Sequence, residues 1–563
     1  MLRVRIGLLT EGGYPYARGE ARLWCDRLVR GLGQHEFRLY ALSRDREQER
    51  AGWVDVPAQV TQVRTAPLWT AEVDGAWYGR RARRRFAEHY GDLAAGLCAG
   101  PAGAPGQGAR SPQEADRFRS ALYGLAELAR EEGGMVAALR SEEAVRALER
   151  VCRAPGAPRA AREARVTDLL LVGAHLEQAL RPLSLDWYAE GELGSVDLCH
   201  AAAGGLAALP GLLARHFHGV PLVVTEYGVP LRAHYLGSAD APPAVRALLA
   251  AFHGRLAAEV YRSAAMLTPG NTHVRRWQER CGADRSKVRT VYPGMSAARF
   301  AAAGERAGGR SGAAHMANGA HMADVADGAH VVHAADGGTG PGTLVWVGRI
   351  EPSKDLVTLL HAFAAVRQRV PGARLRIAGS APDPEGAAYL LHCEELAGRL
   401  FQGDPPVEFV DMSGPAAPGL ADVYARGAVI VLSSVVEGFP VSVVEAMFSG
   451  RATVSTDVGA VVEVVGGTGL VVPPRDPRAL ADACVALLRD PARRDRLGAA
   501  ARARAMELFT VEQNVAAFHR IYLEVAGRCP ARRIAEADAA EPRPFAVPAE
   551  LRVAGAESVE VTR

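Results

Sequence analysis

The chain has 563 residues, a length that suits two domains with insertions rather than one hydrophobic core. Its formal charge of +3 is near balance, which argues against nucleic-acid binding through a basic surface. The eight cysteines lack metal-ligand spacing, no apolar run is long enough for a membrane span, and the N-terminus enters a strand directly. We therefore expect a cytoplasmic protein with reduced thiols.

The first elements along the chain follow a β-α-β pattern. We predict a strand over residues 3–9, a loop over 10–19, a helix over 20–31 and a strand over 37–42. Such a start is typical of a doubly wound parallel sheet with helices on both faces.

Residues 67–182 interrupt this pattern with long helices rich in Ala, Arg and Glu, broken by a Gly- and Pro-rich stretch at 99–112. We interpret the region as a helical insertion in an N-terminal domain of residues 1–300. The arginine run at 80–85 is interpreted as a solvated helix face, with contact to an anionic surface or polymer as the alternative. The sheet resumes with strands predicted at 196–200, 221–225 and 265–268.

Residues 301–342 differ from the rest of the chain. They repeat Gly-Ala-His units in small residues without an apolar period, which is typical of a flexible interdomain linker. The histidine density suggests a metal site as an alternative, but the spacing is irregular and we expect no metal. The four histidines are His315, His321, His330 and His333.

A second α/β domain is predicted over residues 343–508, followed by a helix in the segment 509–527. Residues 528–563 are rich in Ala, Glu and Pro and are predicted to be disordered. The predicted strands of this domain are 342–347, 375–378, 407–410, 429–432, 453–455 and 469–472.

Two cations lie between the first strand of this domain and a helix predicted over 355–370. Lys354 is one of two lysines among the 66 basic residues, the other being Lys287, and Arg349 precedes it. An Arg fork binds phosphate oxygens bidentately, a Lys adds a point charge, and helix N-terminal N–H groups favour anions. We predict a phosphate site here; the alternative is a solvated loop with two surface cations.

A pair of carboxylates follows the strand predicted at 429–432. We expect Glu437 in the loop at the mouth of a helix, Pro440 in its first turn and Glu445 in its second turn. The two carboxylates can bind different hydroxyls of one elongated ligand, while Gly438 lets the backbone approach closely. The alternative is that Glu437 only complements the helix dipole and Glu445 faces solvent.

The segments VGRIEPSKD (347–355) and EGFPVSVVEA (437–446) together resemble the donor half of retaining glycosyltransferases of family four. That resemblance implies an α/β GT-B fold, with two facing Rossmann-like doubly wound domains and a last helix that crosses back to the first domain. Four N-terminal segments resemble the PelF-type branch, whose members use UDP-glucose in exopolysaccharide production. They are LLTEGGYPYARGEARLW (8–24), LCHAAAGGLAALPG (198–211), VVTEYGVPLR (223–232) and RRWQERCGADRSKVRTVYPGM (275–295).

The resemblance also implies residue roles. Arg349 and Lys354 would bind the nucleotide-sugar diphosphate, Glu437 would approach the donor sugar and Glu445 would bind the ribose hydroxyls. In this family the leaving phosphate is thought to accept the acceptor's proton. Because the chain also lacks an Asp-x-Asp motif, we expect no metal or other cofactor besides the UDP-sugar substrate. The other donor-side residues are Gly348, Gly438, Phe439, Pro440 and Val441.

The acceptor half departs from the family pattern in three places. Tyr227 stands where related sequences carry a His that faces the donor sugar, and Tyr is not an acid or base at physiological pH. Glu20 replaces one glycine of an expected pair, and residues 202–205 (AAGG) replace a Ser-Thr-Gly segment, which removes hydroxyl contacts. The implied acceptor-side loop residues are Gly12, Gly13, Gly19, Glu20, His200 and Glu226.

These residues predict a retaining glycosyltransferase that moves a sugar, with glucose as the first expectation, from a UDP-sugar to an acceptor that the sequence does not name. Membrane-associated synthesis enzymes are candidate partners. One alternative is a nucleotide-sugar-binding scaffold or regulatory subunit with weak catalysis. Another is different GT-B chemistry, such as epimerisation or phosphorolysis.

Overall fold

The computed structural model describes residues 3–16, 20–72, 78–98, 112–238, 240–301, 342–403, 406–414 and 417–529. The predicted linker with its four histidines lies outside the described residues, apart from its end residues 301 and 342. So do Gly19, the side chain of Glu20, most of the Gly- and Pro-rich stretch and the predicted C-terminal tail beyond residue 529. In the described part, no helix is long and apolar enough to cross a membrane.

Six strands form the first sheet: β1 (Arg5–Glu11), β2 (Glu36–Asp45), β3 (Val60–Trp69), β4 (Leu198–Ala201), β5 (Leu222–Glu226) and β6 (Met266–Pro269). All pair in parallel, in the order β3-β2-β1-β4-β5-β6. The predicted strands are confirmed, with ends shifted by up to a few residues, but β3 was missed. Its sequence VTQVRTAPLW mixes polar residues with a proline, as an edge strand tolerates.

Helices surround this sheet and fill the long segment between β3 and β4. The predicted helix over 20–31 is confirmed as α1. The arginine run at 80–85 opens a helix, where Arg85 pairs with Glu131. The helices of this half are α1 (Glu20–Gly31), α2 (Arg46–Arg50), α3 (Arg80–Cys98), α4 (Pro112–Glu132), α5 (Met135–Leu139), α6 (Glu142–Cys152), α7 (Arg159–Arg162), α8 (Val166–Leu180), α9 (Leu209–His218), α10 (Pro230–Gly237), α11 (Pro243–Ser263) and α12 (Thr272–Arg280).

The second sheet comprises β7 (Thr343–Arg349), β8 (Arg374–Ser380), β9 (Val407–Asp411), β10 (Val429–Leu432), β11 (Ala452–Thr456) and β12 (Leu470–Val472). Its order, β12-β11-β10-β7-β8-β9, is again all parallel and repeats the topology of the first sheet. Central strands such as β7 are buried on both faces, which explains their continuous apolar runs. Two doubly wound sheets confirm the predicted GT-B fold class.

The helices of the second half are α13 (Leu356–Arg369), α14 (Pro384–Leu400), α15 (Leu420–Arg426), α16 (Val441–Phe448), α17 (Val461–Val465), α18 (Pro477–Arg489), α19 (Pro491–Leu508) and α20 (Val511–Arg528). The last of them crosses back to the first sheet. Its apolar side chains Phe518, Ile521 and Tyr522 share one buried core with Ile6 and Leu8 of β1. This helix therefore ties the two halves together.

The carboxyl ends of the two sheets face each other, since segments that follow strands of one sheet contact segments that follow strands of the other. Arg232, shortly after β5, lies 3.4 Å from the backbone oxygen of Glu437, which follows β10. Thr272, after β6, donates its backbone N–H to Glu463 of α17 over 2.7 Å. Ligands of doubly wound sheets bind at these ends, so the functional site is sought here.

Candidate functional site

Lys354 and Glu437 form an ion pair at the carboxyl ends of β7 and β10. The Lys354 Nζ to Glu437 Oε1 distance is 2.6 Å, and the side chains are only 15% and 11% exposed. The hydroxyl of Ser434 donates to the same oxygen over 2.8 Å. The sequence placed both residues near one ligand but did not predict that they bind each other. An ammonium has three donors, so this contact leaves others for a phosphate oxygen.

Backbone contacts hold the two loops in register. The Ser433 hydroxyl donates to the carbonyl of Lys354 over 2.8 Å, and the N–H of Val435 donates to the carbonyl of Ser353 over 2.9 Å. Asp355 caps α13 by accepting the N–H of Thr358 over 3.2 Å, in a left-handed backbone conformation with φ 48°. Lys354 is therefore fixed directly before the helix N-terminus, where anions are favoured.

Arg349 occupies a different position from the one predicted. It is the last residue of β7 rather than part of the loop, because the strand runs two residues further than its apolar core. Its side chain is 68% exposed, and the nearest carboxylate, Glu351, is 3.8 Å away. At that distance the pair is weak, so the guanidinium is available to a diphosphate. Gly348 precedes it, and a Cβ there would lie 3.1 Å from the Trp346 ring.

Glu445 is buried in the second turn of α16, as predicted for its position, and does not face solvent. The hydroxyl of Tyr424 donates to its Oε2 over 2.8 Å. Burial, followed by the Glu445 charge, raises the pKa of Tyr424 well above its usual range, so that hydroxyl remains a donor. Pro440 lies one residue before the helix rather than in its first turn, and Val441 begins it. Phe439 packs edge-on against Phe509 at 5.8 Å.

Gly459 shapes the loop that carries Glu437 and was not singled out from the sequence. Its backbone is left-handed, with φ 58°, and a Cβ there would lie 2.4 Å from the Glu437 carbonyl oxygen. The next residue, Ala460, donates its N–H to the carbonyl of Gly438 over 3.1 Å. Glycine is required here both by backbone conformation and by close approach.

Tyr227 lies where the two halves meet. Its ring packs edge-on against Trp24 at 5.1 Å and sits on Gly270, where a Cβ would be 2.2 Å from a ring carbon. The amide of Asn514, on α20, donates to its hydroxyl over 3.3 Å. Burial raises the pKa of Tyr227 above its usual range, so the phenol keeps its proton. The hydroxyl can donate to a ligand but cannot act as a base.

Glu226 is the last residue of β5 and is fully buried, rather than part of a loop. Its Oε2 accepts from Tyr261 over 2.8 Å and from Gln278 over 2.7 Å, while Oε1 has no protein partner. A Cβ on Gly204 would lie 1.9 Å from that oxygen. Gly204 therefore does more than remove a hydroxyl contact: it makes room for the carboxyl group.

The sequence interpretation put His200 at the end of the strand predicted over 196–200 and, through the family resemblance, grouped it with the acceptor-side loop residues. It lies on β4, fully buried, with its ring nitrogens 2.6 Å from the hydroxyls of Tyr522 and of Thr225. Burial lowers its pKa to about 3, so the ring is neutral. Because Tyr522 belongs to α20, His200 anchors the return helix instead of facing a substrate.

The glycines after β1 hold a tight turn. Gly12 has φ 58°, and its N–H donates to the carbonyl of Leu42 over 2.8 Å. The carbonyl of Gly13 accepts the N–H of Tyr16 over 2.8 Å. These contacts fix the β1 loop against β2. Among the described residues, no group of three or more His, Cys, Asp or Glu side chains could hold a metal ion.

We expect Glu226 to make stability depend on pH. Burial raises its pKa from 4.5 to about 7, partly offset by the hydrogen bonds from Gln278 and Tyr261. The folded state therefore holds this proton more tightly than the unfolded state does. The free energy of unfolding falls as pH rises from 4.5 to about 7 and levels off above that range. This free energy should fall by roughly 1–3 kcal/mol. Thermal unfolding at pH 5 and pH 8 should show a smaller decline for Glu226→Gln than for the parent; equal declines would contradict the assignment.

Two family models match the chain. Residues 4–286 match a model described as a domain of unknown function (DUF3492), and residues 341–490 match the model described as glycosyl transferases group 1. The D-inositol 3-phosphate glycosyltransferase of Kribbella flavida is 30% identical over 316 residues, which are 55% of this chain and 67% of that protein. The protein of the same name from Kineococcus radiotolerans is 33% identical over 238 residues, 40% of this chain and 49% of that one. The chain thus spans between about half and two thirds of these relatives.

Solved structures share the fold at low identity. Sucrose-phosphate synthase from Thermosynechococcus elongatus has a TM-score of 0.53 at 16% identity, covering 93% of this chain and 100% of that one. Anabaena HepE in complex with UDP has a TM-score of 0.53 at 13% identity, covering 92% and 100%. The chain therefore belongs to the DUF3492 family and joins that domain to a group 1 glycosyltransferase domain, in a GT-B fold of the family-four type.

Proposed function

We propose that this chain is a retaining, metal-independent glycosyltransferase that moves a sugar, glucose in the first instance, from a UDP-sugar to an acceptor in exopolysaccharide or glycoconjugate synthesis. The observation that carries the proposal is the largely buried Lys354–Glu437 pair, 2.6 Å apart, at the carboxyl ends of β7 and β10. The group 1 glycosyltransferase match over residues 341–490 and the resemblance to the PelF-type branch support it.

The proposed reaction breaks the bond between sugar C1 and the diphosphate oxygen, and its electron pair passes to that oxygen. The acceptor hydroxyl oxygen bonds to C1 on the face that the diphosphate leaves, and its proton passes to the leaving phosphate. Lys354, which precedes α13, and Arg349, at the end of β7, would stabilise the growing charge, a role that a divalent ion fills in other enzymes. Such preorganised electrostatics can contribute several kcal/mol.

Glu437 and Glu445 have separate roles in this proposal. Glu437, held by Lys354 and Ser434, lies in the loop facing the first domain and would accept a hydroxyl of the donor sugar. Glu445 lies deeper, buried on α16 with Tyr424, and would accept the ribose hydroxyls. The different depths of the two carboxylates suit a ligand extended along the helix.

We expect Glu445→Ala to weaken UDP binding by roughly 1.5–3 kcal/mol, because the ribose loses a charged acceptor. Tyr424→Phe should weaken it less, since the carboxylate remains and loses only one hydrogen bond. Calorimetric titration with UDP measures both variants, with thermal unfolding as the check on folding. Unchanged affinity in a folded Glu445→Ala protein would refute the ribose assignment.

A nucleotide-sugar-binding scaffold is the second candidate. It is favoured by Tyr227, because a protonated phenol does not serve as a general base and its hydroxyl already accepts a hydrogen bond from Asn514. In an active enzyme, Tyr227→Phe should cost about tenfold in UDP release, the scale of one hydrogen bond. Tyr227→His should preserve or raise the rate.

UDP release from UDP-glucose, measured for the parent and both Tyr227 variants, separates the two functions. A parent rate at background together with tight UDP binding would favour the scaffold. UDP release only in the His variant would lead to the same conclusion.

A further inference from the structure

Two cysteine sulfurs are in contact in the helical segment between β3 and β4. Cys98 ends α3 and Cys152 ends α6, and their Sγ atoms lie 3.6 Å apart. Each of the two residues is at most 5% exposed. All eight cysteines lie within the described residues, and no other two of their sulfurs make such a contact. The two residues are 54 positions apart in the chain, so the packing of α3 against α6 brings them together.

The two thiols differ in how readily they ionise. The pKa of Cys152 is lowered, first by the hydrogen bond from Cys98 and also by the charge of Arg153, although burial opposes this shift. The same hydrogen bond, followed by burial, raises the pKa of Cys98. Arg153 is held in place because its guanidinium donates to the backbone carbonyls of Arg162 and Ala164. Cys152 is therefore the sulfur that ionises more easily, while Cys98 keeps its proton.

The other buried cysteines lack these features. Burial raises the pKa of Cys25, Cys199 and Cys484, and none of them contacts a second sulfur. An isolated buried thiol of this kind is inert. Cys98 and Cys152, in contrast, are the last residues of their helices, and helix ends open locally at a lower free-energy cost than helix centres. A small oxidant can therefore reach both sulfurs without global unfolding.

A covalent bond between the two sulfurs requires only a small movement. The length of a disulfide bond is about 2.05 Å, so the sulfurs must approach each other by about 1.5 Å from their distance of 3.6 Å. Rotation about the side-chain bonds, together with a slight shift of the two helix ends, supplies such a movement.

We propose that Cys98 and Cys152 form an oxidative modification site, at which a hydroperoxide converts the two thiols to a disulfide. With hydrogen peroxide, the Cys152 thiolate attacks one oxygen, the O–O bond breaks, and the leaving hydroxide takes up a proton to become water. The Cys98 sulfur then attacks the sulfenic acid on Cys152, and the departing hydroxyl takes the Cys98 proton as a second water. The two sulfurs lose two electrons, which the peroxide gains.

The disulfide closes a loop that contains α4 and α5 and joins the end of α3 to the end of α6. A cross-link over 54 positions restricts the unfolded chain, so the oxidised protein is more stable than the reduced one. A dithiol reverses the bond by thiol–disulfide exchange. The site is independent of the proposed glycosyl transfer.

The test uses the full-length chain with Cys529→Ser, because Cys529 is exposed and could link two molecules. The protein is treated with hydrogen peroxide, unfolded and alkylated, and mass spectrometry maps the cysteines. Before alkylation the mass should fall by about 2 Da, the two hydrogens lost in forming a disulfide. One linked peptide should join Cys98 to Cys152 and disappear with dithiothreitol. The melting temperature of the oxidised protein should exceed that of the reduced protein by several degrees.

Cys98→Ser and Cys152→Ser should each abolish the linked peptide and the rise in melting temperature. The matched control is Cys393→Ser on α14, which removes a buried thiol without a sulfur partner and should keep both. If a serine variant fails to fold, the mapping of the parent alone decides. Alkylation of both Cys98 and Cys152 after peroxide treatment, a sulfinic acid at either position, or a disulfide from either to another cysteine would overturn the proposal.

Discussion

Lys354→Ala is expected to lower UDP-sugar turnover by about 10²–10³-fold, the loss typical of removing one preorganised donor at developing charge. Charge on the diphosphate grows as the glycosidic bond breaks, so the ammonium interacts more strongly with the transition state than with bound UDP. The substitution also leaves the largely buried carboxylate of Glu437 without its cation, 2.6 Å away in the parent. We therefore expect a larger effect on kcat than on the Kd for UDP.

The chain provides its own control, because it contains only one other lysine. Lys287 donates to the backbone carbonyl of Arg262 over 2.8 Å, away from the facing sheet ends. Lys287→Ala should therefore leave UDP release unchanged. Steady-state UDP release measures kcat and kcat/KM, and calorimetry with UDP measures the Kd. Equal losses in UDP affinity and in kcat/KM would instead make Lys354 a uniform anchor for the nucleotide.

Gly459→Ala is expected to abolish most activity and to lower the melting temperature. The new Cβ would lie 2.4 Å from the carbonyl oxygen of Glu437 and 2.9 Å from that of Gly438, so the loop carrying Glu437 must move. A left-handed backbone costs an alanine roughly 1–2 kcal/mol besides. Because Glu437 pairs with Lys354, displacement of this loop should disturb both charged groups.

Gly467→Ala separates backbone strain from the clash. Gly467 also has a positive φ, 83°, but a Cβ there meets nothing within 4 Å. The Gly467→Ala protein should lose a similar amount of stability through backbone strain and should keep the parent's rate of UDP release. If the two variants lose activity equally, the contact between Gly459 and the Glu437 loop is not what positions the site.

Local patterns predicted the fold because each sheet is built from consecutive β-α units. Apolar runs such as 429–432, confirmed as β10, identify strands buried on both faces. The edge strand β3 escaped detection because its side chains are mostly half-exposed and mixed in polarity. The predicted interdomain linker, and with it the predicted domain boundary, lies outside the described residues.

Local periodicity predicted doubly wound α/β sheets and the positions of Lys354 and Glu445 relative to their helices. The two-domain GT-B class and the diphosphate role of Arg349 and Lys354 came from the resemblance to family-four glycosyltransferases, and that role stays a prediction. Only the tertiary structure decided which side chains contact one another. The Lys354–Glu437 pair joins residues far apart in the chain, Gly204 makes room for Glu226, and His200 binds the return helix instead of a ligand. Such contacts arise when distant segments pack, and no local pattern encodes which buried polar groups will meet.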